Sequence, residues 1–120
     1  MIRFLFDEHV SDVLRVQMRL RAPELEVYRM GEPPAPPLGT ADPVVLSWCE
    51  QRDAMLITIN RASMPVHLSE HLQAGGHVPG ILTPGKSATF GQVLQDLLLI
   101  ALCGRPDEYR DTLVYLPLRS

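Results

Sequence analysis

Lysine is nearly absent from this chain of 120 residues: Lys86 is the only one, and the other basic side chains are arginines. With a net charge of −3 and no long cluster of cations, a dedicated nucleic-acid coat protein is excluded, although an enzyme that touches RNA briefly is not. Cysteine is scarce as well. Cys49 and Cys103 have no Cys or His neighbour at zinc-ligand spacing, which argues against a disulfide framework; both fall in apolar helical surroundings and are expected as small core residues of a reducing compartment. The longest apolar run, Leu97 to Cys103, is far shorter than the roughly 20 residues that cross a bilayer. No basic leader precedes an apolar stretch of signal-peptide length, so a cytoplasmic, membrane-free protein is expected. Glycine is missing from the turn after the first apolar run, where a Rossmann-type site would need it for close approach to a pyrophosphate.

What is there begins with Ile2-Arg3-Phe4-Leu5-Phe6, an apolar run that stops at Asp7-Glu8-His9. A buried parallel strand looks like this when it delivers acids to the rim of a sheet, where open α/β folds bind their ligands. The period then becomes helical, with Ser11 as N-cap of a helix from about Ser11 to Arg21, stopped at Pro23. Leu25 to Met30 alternates like a half-exposed edge strand, and Gly31 to Ala41, with Pro33, Pro34, Pro36 and Pro37, reads as a stiff surface excursion. Thr40 or Asp42 is expected to cap a second helix that accepts Pro43 in its first turn and buries Val44, Val45, Leu46, Trp48 and Cys49.

Ala54 to Ile59 is the most continuous strand signal and ends at Asn60-Arg61. A third helix from about Met64 or Pro65 to Gln73 closes at Gly75-Gly76, and Val78 to Thr83 forms a fourth strand. Ser87 is expected to open a fourth helix, with Phe90, Val93, Leu94, Leu97, Leu98 and Ala101 in one stripe and its end at Gly104, before a final strand at Leu113 to Leu116. The βαβαβαβαβ order predicts one domain over residues 1–120. Its fold would be a three-layer α/β/α sandwich with a mostly parallel sheet of four to five strands and right-handed crossovers.

If the first strand lies between the second and third, Asp7, Glu8, Asn60 and Arg61 meet at one edge, and Asp42 arrives from the loop after the second strand. Hard oxygen ligands without cysteine suit Mg²⁺ or Mn²⁺, and such an ion implies metal-assisted hydrolysis of a phosphodiester. Asp7 would be a direct ligand, with Glu8 as a further carboxylate beside it. Asp42 would ligate directly or through water, and Asn60 would offer a carbonyl oxygen or hold a metal-bound water. His9 and Arg61 are candidates for contact with substrate phosphate. Each has a plainer reading: Asp7 and Glu8 as acids answering a helix dipole, Asp42 as an N-cap, Asn60 as a turn former, His9 as a hydrogen-bonding rim residue.

The motifs Phe6-Asp7-Glu8-His9, Asp42-Pro43-Val44-Val45-Leu46-Ser47-Trp48 and Thr58-Ile59-Asn60-Arg61-Ala62-Ser63, in this order and spacing, resemble the short prokaryotic PIN-like family, relatives of VapC-type ribonuclease toxins. The resemblance covers most of residues 1–83. It implies a metal-dependent endoribonuclease, with Asp7, Asp42 and Asn60 as its catalytic and metal residues and RNA as substrate. An antitoxin-like protein would be the partner, as in a toxin–antitoxin system, and a homodimer is compatible with the exposed apolar content. Where the family carries two acids after its third strand this chain has Asn60 and Ala62, so a weakened cation site is expected. The alternative is a catalytically silent PIN-like module for binding or assembly, with the proline-rich loop or Arg15 and Arg19 as its contact surface.

One rival constellation is His67-Leu68-Ser69-Glu70-His71, the order of an inverted zinc-peptidase motif, in which two His four apart share a helix face. A peptidase would need a further ligand from a larger scaffold, so adventitious metal binding or a polar helix face is the expectation there.

Overall fold

A computed structural model describes residues 2–118. Five strands and four helices alternate along the chain: β1 (Arg3–Phe6), α1 (Asp12–Arg21), β2 (Val27–Arg29), α2 (Asp42–Arg52), β3 (Ala54–Ile57), α3 (Met64–Gln73), β4 (Ile81–Pro84), α4 (Phe90–Cys103) and β5 (Leu113–Leu116). The strands form one sheet in the order β2-β1-β3-β4-β5, and every pair in it is parallel. The apolar runs predicted as strands are therefore central ones. β1 and β3 bury both faces, while the edge strand β2 keeps Tyr28 and Arg29 half exposed, as a protected edge does.

Alternation along the strands divides the core in two. Phe4, Phe6, Ile57 and Leu82 pack with Leu14 and Met18 of α1 and with Val93, Leu97 and Ile100 of α4. Leu5, Leu56 and Ile81 face the other way, onto Val45, Leu46 and Cys49 of α2 and Met64 and Leu68 of α3. This is the expected α/β/α sandwich. One connection departs from expectation. From β3 to β4 and from β4 to β5 the chain steps in the same direction, yet α3 and α4 lie on opposite faces, so the last crossover is of opposite hand to the other three. The reason is coverage: α1 alone would leave the face formed by Met55, Leu82 and Leu116 open, and the apolar stripe of α4 closes it.

Local differences from the sequence expectations have equally local causes. α2 begins at Asp42 with Ala41 at its N-cap and no side-chain cap, because the Thr40 hydroxyl donates backwards to the Pro37 carbonyl and Asp42 lies already inside the helix. Val44 points to solvent and Trp48 is only half buried, donating its indole N–H to the Pro34 carbonyl at 3.1 Å; the proline-rich loop is thereby pinned to α2. α4 opens at Thr89 rather than Ser87, since Thr89 and Gln92 form a reciprocal capping box. Phe90, placed on the buried stripe by its spacing, is 47% exposed. β3 ends at Ile57 and β4 starts at Ile81, both shorter than their apolar runs. Cys49 is buried, but Cys103 on the last turn of α4 is exposed.

Arg15 and Arg19 do not form a basic patch. Arg15 is 7% exposed and binds Asp12 at 2.7 Å and both carboxylate oxygens of Glu32, which clamps α1 to the start of the proline-rich loop; Arg19 donates to the Val27 carbonyl. The hydrogen bond from Arg15 holds the Asp12 carboxyl below its ordinary value, although burial opposes it. Because Asp12 and Glu32 keep substantial solvent contact, the clamp contributes little per pair. Arg15→Ala should lower unfolding stability by about 1–2 kcal/mol in urea denaturation, and Arg15→Lys should recover less than half, since lysine cannot reproduce the forked geometry.

Candidate functional site

The chain leaves β1 towards β2 on one side, and β3 pairs with β1 on the other, so the topological switch point lies between the carboxyl ends of β1 and β3. The pairing Phe6↔Ile57 brings the next residues, Asp7 and Thr58, opposite one another. Phe6 faces α1 and α4, so Asp7 turns to the α2/α3 side, over Cys49. The Cys49 thiol is pushed up to about 12 by burial, with the charge of Asp7 adding to the effect.

From Asp7 a chain of hydrogen bonds runs along the rim. Thr58, fully buried, donates its hydroxyl to Asp7 Oδ2 at 2.8 Å and accepts the Asn60 backbone N–H at 3.1 Å. Asp7 Oδ1 accepts the N–H of Glu8. Asn60 gives its Nδ2 to Asp42 Oδ2 at 2.9 Å and to the Ser63 hydroxyl at 2.7 Å, while its Oδ1 accepts the Ser63 backbone N–H at 3.2 Å. The carboxamide is thus oriented by its partners on both sides: turned over, it would set oxygen against the Asp42 carboxylate and nitrogen against an N–H. Asp42 enters from the first turn of α2, so the three expected segments do meet on one lip.

The remaining candidates are placed around this chain. Glu8 Oε1 accepts the Gly39 N–H at 3.3 Å and ties the end of the proline-rich loop to the rim. His9 is exposed at the turn before α1. Arg61 donates to the Pro84 carbonyl at 2.7 Å, at the end of β4. Among the described residues no group of three or more His, Cys, Asp or Glu side chains is arranged to hold a metal ion. The carboxylates of Asp7 and Asp42 keep acceptor capacity beyond the hydrogen bonds they already accept. The Asn60 oxygen is committed to Ser63.

Two further polar groups stand at this lip, one that the sequence offered only as half of a His67/His71 metal pair and one that it did not single out. His67, on α3, lies with Nε2 3.6 Å from Asp42 Oδ2, and its buried Nδ1 has no hydrogen-bond partner. Only the pairing of α2 with α3 brings it there. The Thr83 hydroxyl, fully buried and also without a partner, lies opposite Thr58 one strand over. Its signal was a polar residue closing an apolar strand, the same pattern as Thr58.

His67 and His71 do not act as a pair. His71 Nε2 reaches Glu50 Oε1 at 2.7 Å near the other end of α2, and the same oxygen accepts the His77 backbone N–H at 3.0 Å. His77 Nδ1 in turn binds Asp111 at 2.8 Å. This clasp borders a cavity of about 370 Å³ at the amino ends of β3, β4 and β5, the opposite edge of the sheet from Asp7. The peptidase-like order in the sequence thus serves two separate ends of α3.

Two measurements follow from these bonds. Thr58→Val deletes a buried hydroxyl that serves Asp7 and Asn60 together, so stability should fall by about 1–3 kcal/mol and the Asn60 amide should exchange faster with solvent. At the far clasp, the His77 backbone N–H and then the His71 side chain hold the Glu50 carboxyl below its ordinary 4.5. The folded state therefore favours ionised Glu50, which stabilises above that value and ceases to do so as pH falls through the lowered one. Acid titration of Glu50→Gln should show a flatter loss of stability below pH 4.5 than the parent chain does.

No family model, no curated protein and no solved structure matches the chain.

Proposed function

We propose that this chain is a PIN-like metal-dependent ribonuclease with a weakened cation site, which hydrolyses RNA phosphodiesters with the help of Mg²⁺ or Mn²⁺. The observation carrying the reading is the single hydrogen-bonded chain Asp7-Thr58-Asn60-Asp42 at the switch point, built from three segments distant in sequence. Asp7 and Asp42 would hold the ion, which supplies charge neutralisation at the scissile phosphate and a more acidic water. Two carboxylates with several waters is the usual protein share of a Mg²⁺ site that takes its remaining ligands from substrate phosphates.

The chain's own residues do the rest. Thr58 orients Asp7, and Asn60 orients Asp42 through its Nδ2. Arg61, whose guanidinium has donors beyond the one given to Pro84, offers a planar fork to a phosphate oxygen beside the lip. Glu8 holds the loop that delivers Asp42. In a cytoplasmic toxin–antitoxin setting, an antitoxin-like protein would cover this lip.

A second reading, a PIN-like binding or assembly module without catalysis, is favoured by one feature: the Asn60 amide already satisfies the Asp42 oxygen that a cation would approach. Its contact surface would be α1, which exposes Val13, Val16 and Leu20, by association with another copy or a partner protein.

Asn60→Asp separates the two. Replacing the donor by a second carboxylate should cost about 1–2 kcal/mol in the absence of metal, while Mn²⁺ should raise the melting temperature of the variant more than that of the parent. Mn²⁺-dependent cleavage of single-stranded RNA should increase roughly tenfold, and Asp7→Asn or Asp42→Asn should reduce it by a similar or larger factor. Absence of cleavage by both parent and Asn60→Asp, with no Mn²⁺ effect on either melting curve, leaves only the module.

A further inference from the structure

Beside the acidic lip, on the α1/α4 side of the sheet, an apolar groove of about 210 Å³ opens between the amino ends of α1 and α4. Leu14, Ile59, Pro84, Phe90 and Val93 line it, with Ile59 44% and Phe90 47% exposed. Ile59 stands between Thr58 and Asn60 of the rim chain, so the groove and the acids share a backbone segment. Pro84 both lines the groove and accepts the bond from Arg61, which places a cation at the junction of the two.

The polar groups at the mouth are hydroxyls. Ser11 Oγ accepts the Val13 N–H and Thr89 Oγ1 accepts the Gln92 N–H, each as a helix N-cap, so each hydroxyl keeps its own proton to donate. A half-exposed aromatic ring, aliphatic walls, hydroxyl donors and a neighbouring guanidinium match one chemical shape: a planar base with apolar faces, an acceptor-bearing edge and a phosphate attached.

We propose that this groove is a nucleobase subsite for single-stranded RNA, in which one unstacked base lies against Phe90 and its phosphate meets Arg61 beside Asp7. The inference rests on the ribonuclease reading for its choice of polymer and deepens it by naming the substrate form: a splayed single strand rather than a duplex, whose bases are stacked out of reach. The ring supplies stacking that tolerates any base, and the Ser11 and Thr89 hydroxyls add edge contacts.

The test is an amide-resolved NMR titration of the full chain in EDTA, so that no cation site contributes, using ribonucleoside 5′-monophosphates and, separately, inorganic phosphate. Monophosphates should shift Ile59, Phe90 and Val93 together with Arg61, whereas phosphate alone should shift Arg61 only. Phe90→Ala should weaken monophosphate binding roughly tenfold without changing phosphate binding, and Phe90→Trp should restore it. Shifts confined to residues outside the groove, or equal affinity of parent and Phe90→Ala, overturn the subsite. A change of oligomeric state in Phe90→Ala by sedimentation, with no monophosphate effect, overturns it in favour of a second copy as occupant. Groove binding with no cleavage by parent or Asn60→Asp keeps the subsite and removes the nuclease; Asp7-dependent cleavage indifferent to Phe90 does the reverse.

Discussion

Parallel pairing of β1 with β3 is the constraint from which the site follows. It sets Asp7 against Thr58, and their 2.8 Å bond joins the ends of strands whose connections lead in opposite directions across the sheet. At such a point no crossover helix covers the strand ends, so side chains there have a rim to themselves. Thr58 is fully buried beneath it, and a buried hydroxyl with both its proton and a lone pair engaged fixes its neighbours more firmly than an exposed one would. Asp7 and the Asn60 backbone are therefore positioned by the sheet itself, not by the mobility of a loop.

Asn60 decides the electrostatic character of the lip. A carboxylate at this position would face Asp42 at hydrogen-bond distance, and two like charges so close need either a shared proton or a cation between them. The amide removes that need by donating to Asp42 at 2.9 Å while Ser63 occupies its oxygen. The Asp42 oxygen that faces Asn60 is thereby already engaged. Among the described residues the acids converge without forming a metal cage, and the neutral Asn60 amide stands between them.

The sequence was legible wherever period and termination agreed. The apolar runs at Phe4 to Phe6 and Met55 to Ile57, each ending in polar residues, marked buried strands; the place of β1 between β2 and β3 was only a condition of the sequence reading, and the sheet meets it. Legibility failed where a side chain had two uses. Thr40 is a good N-cap by type, but its hydroxyl turns to Pro37. Arg15 was a candidate for a contact surface because its partners, Asp12 and Glu32, are one turn away and one connection away; a buried clamp is visible only when the loop folds back. His67 suggested a zinc motif with His71, yet its neighbour is Asp42, a contact that only the packing of α2 on α3 creates.

The hand of the last crossover connects fold to groove. Had α4 taken the hand shared by the first three connections, it would lie with α2 and α3, and the amino end of α1 would stand alone on its face. Instead Thr89 and Phe90 come beside Ser11 and Leu14, and the space between the two helix starts opens onto the same strand ends that carry Asp7 and Arg61. A groove so made has aliphatic walls from the core below and hydroxyls from the two caps above, because caps are where helices place such residues. The connection needed to cover the sheet thus also sets an apolar, hydroxyl-rimmed recess against a carboxylate lip. That adjacency of unlike surfaces gives this end of the molecule a chemistry that its acids alone would not have.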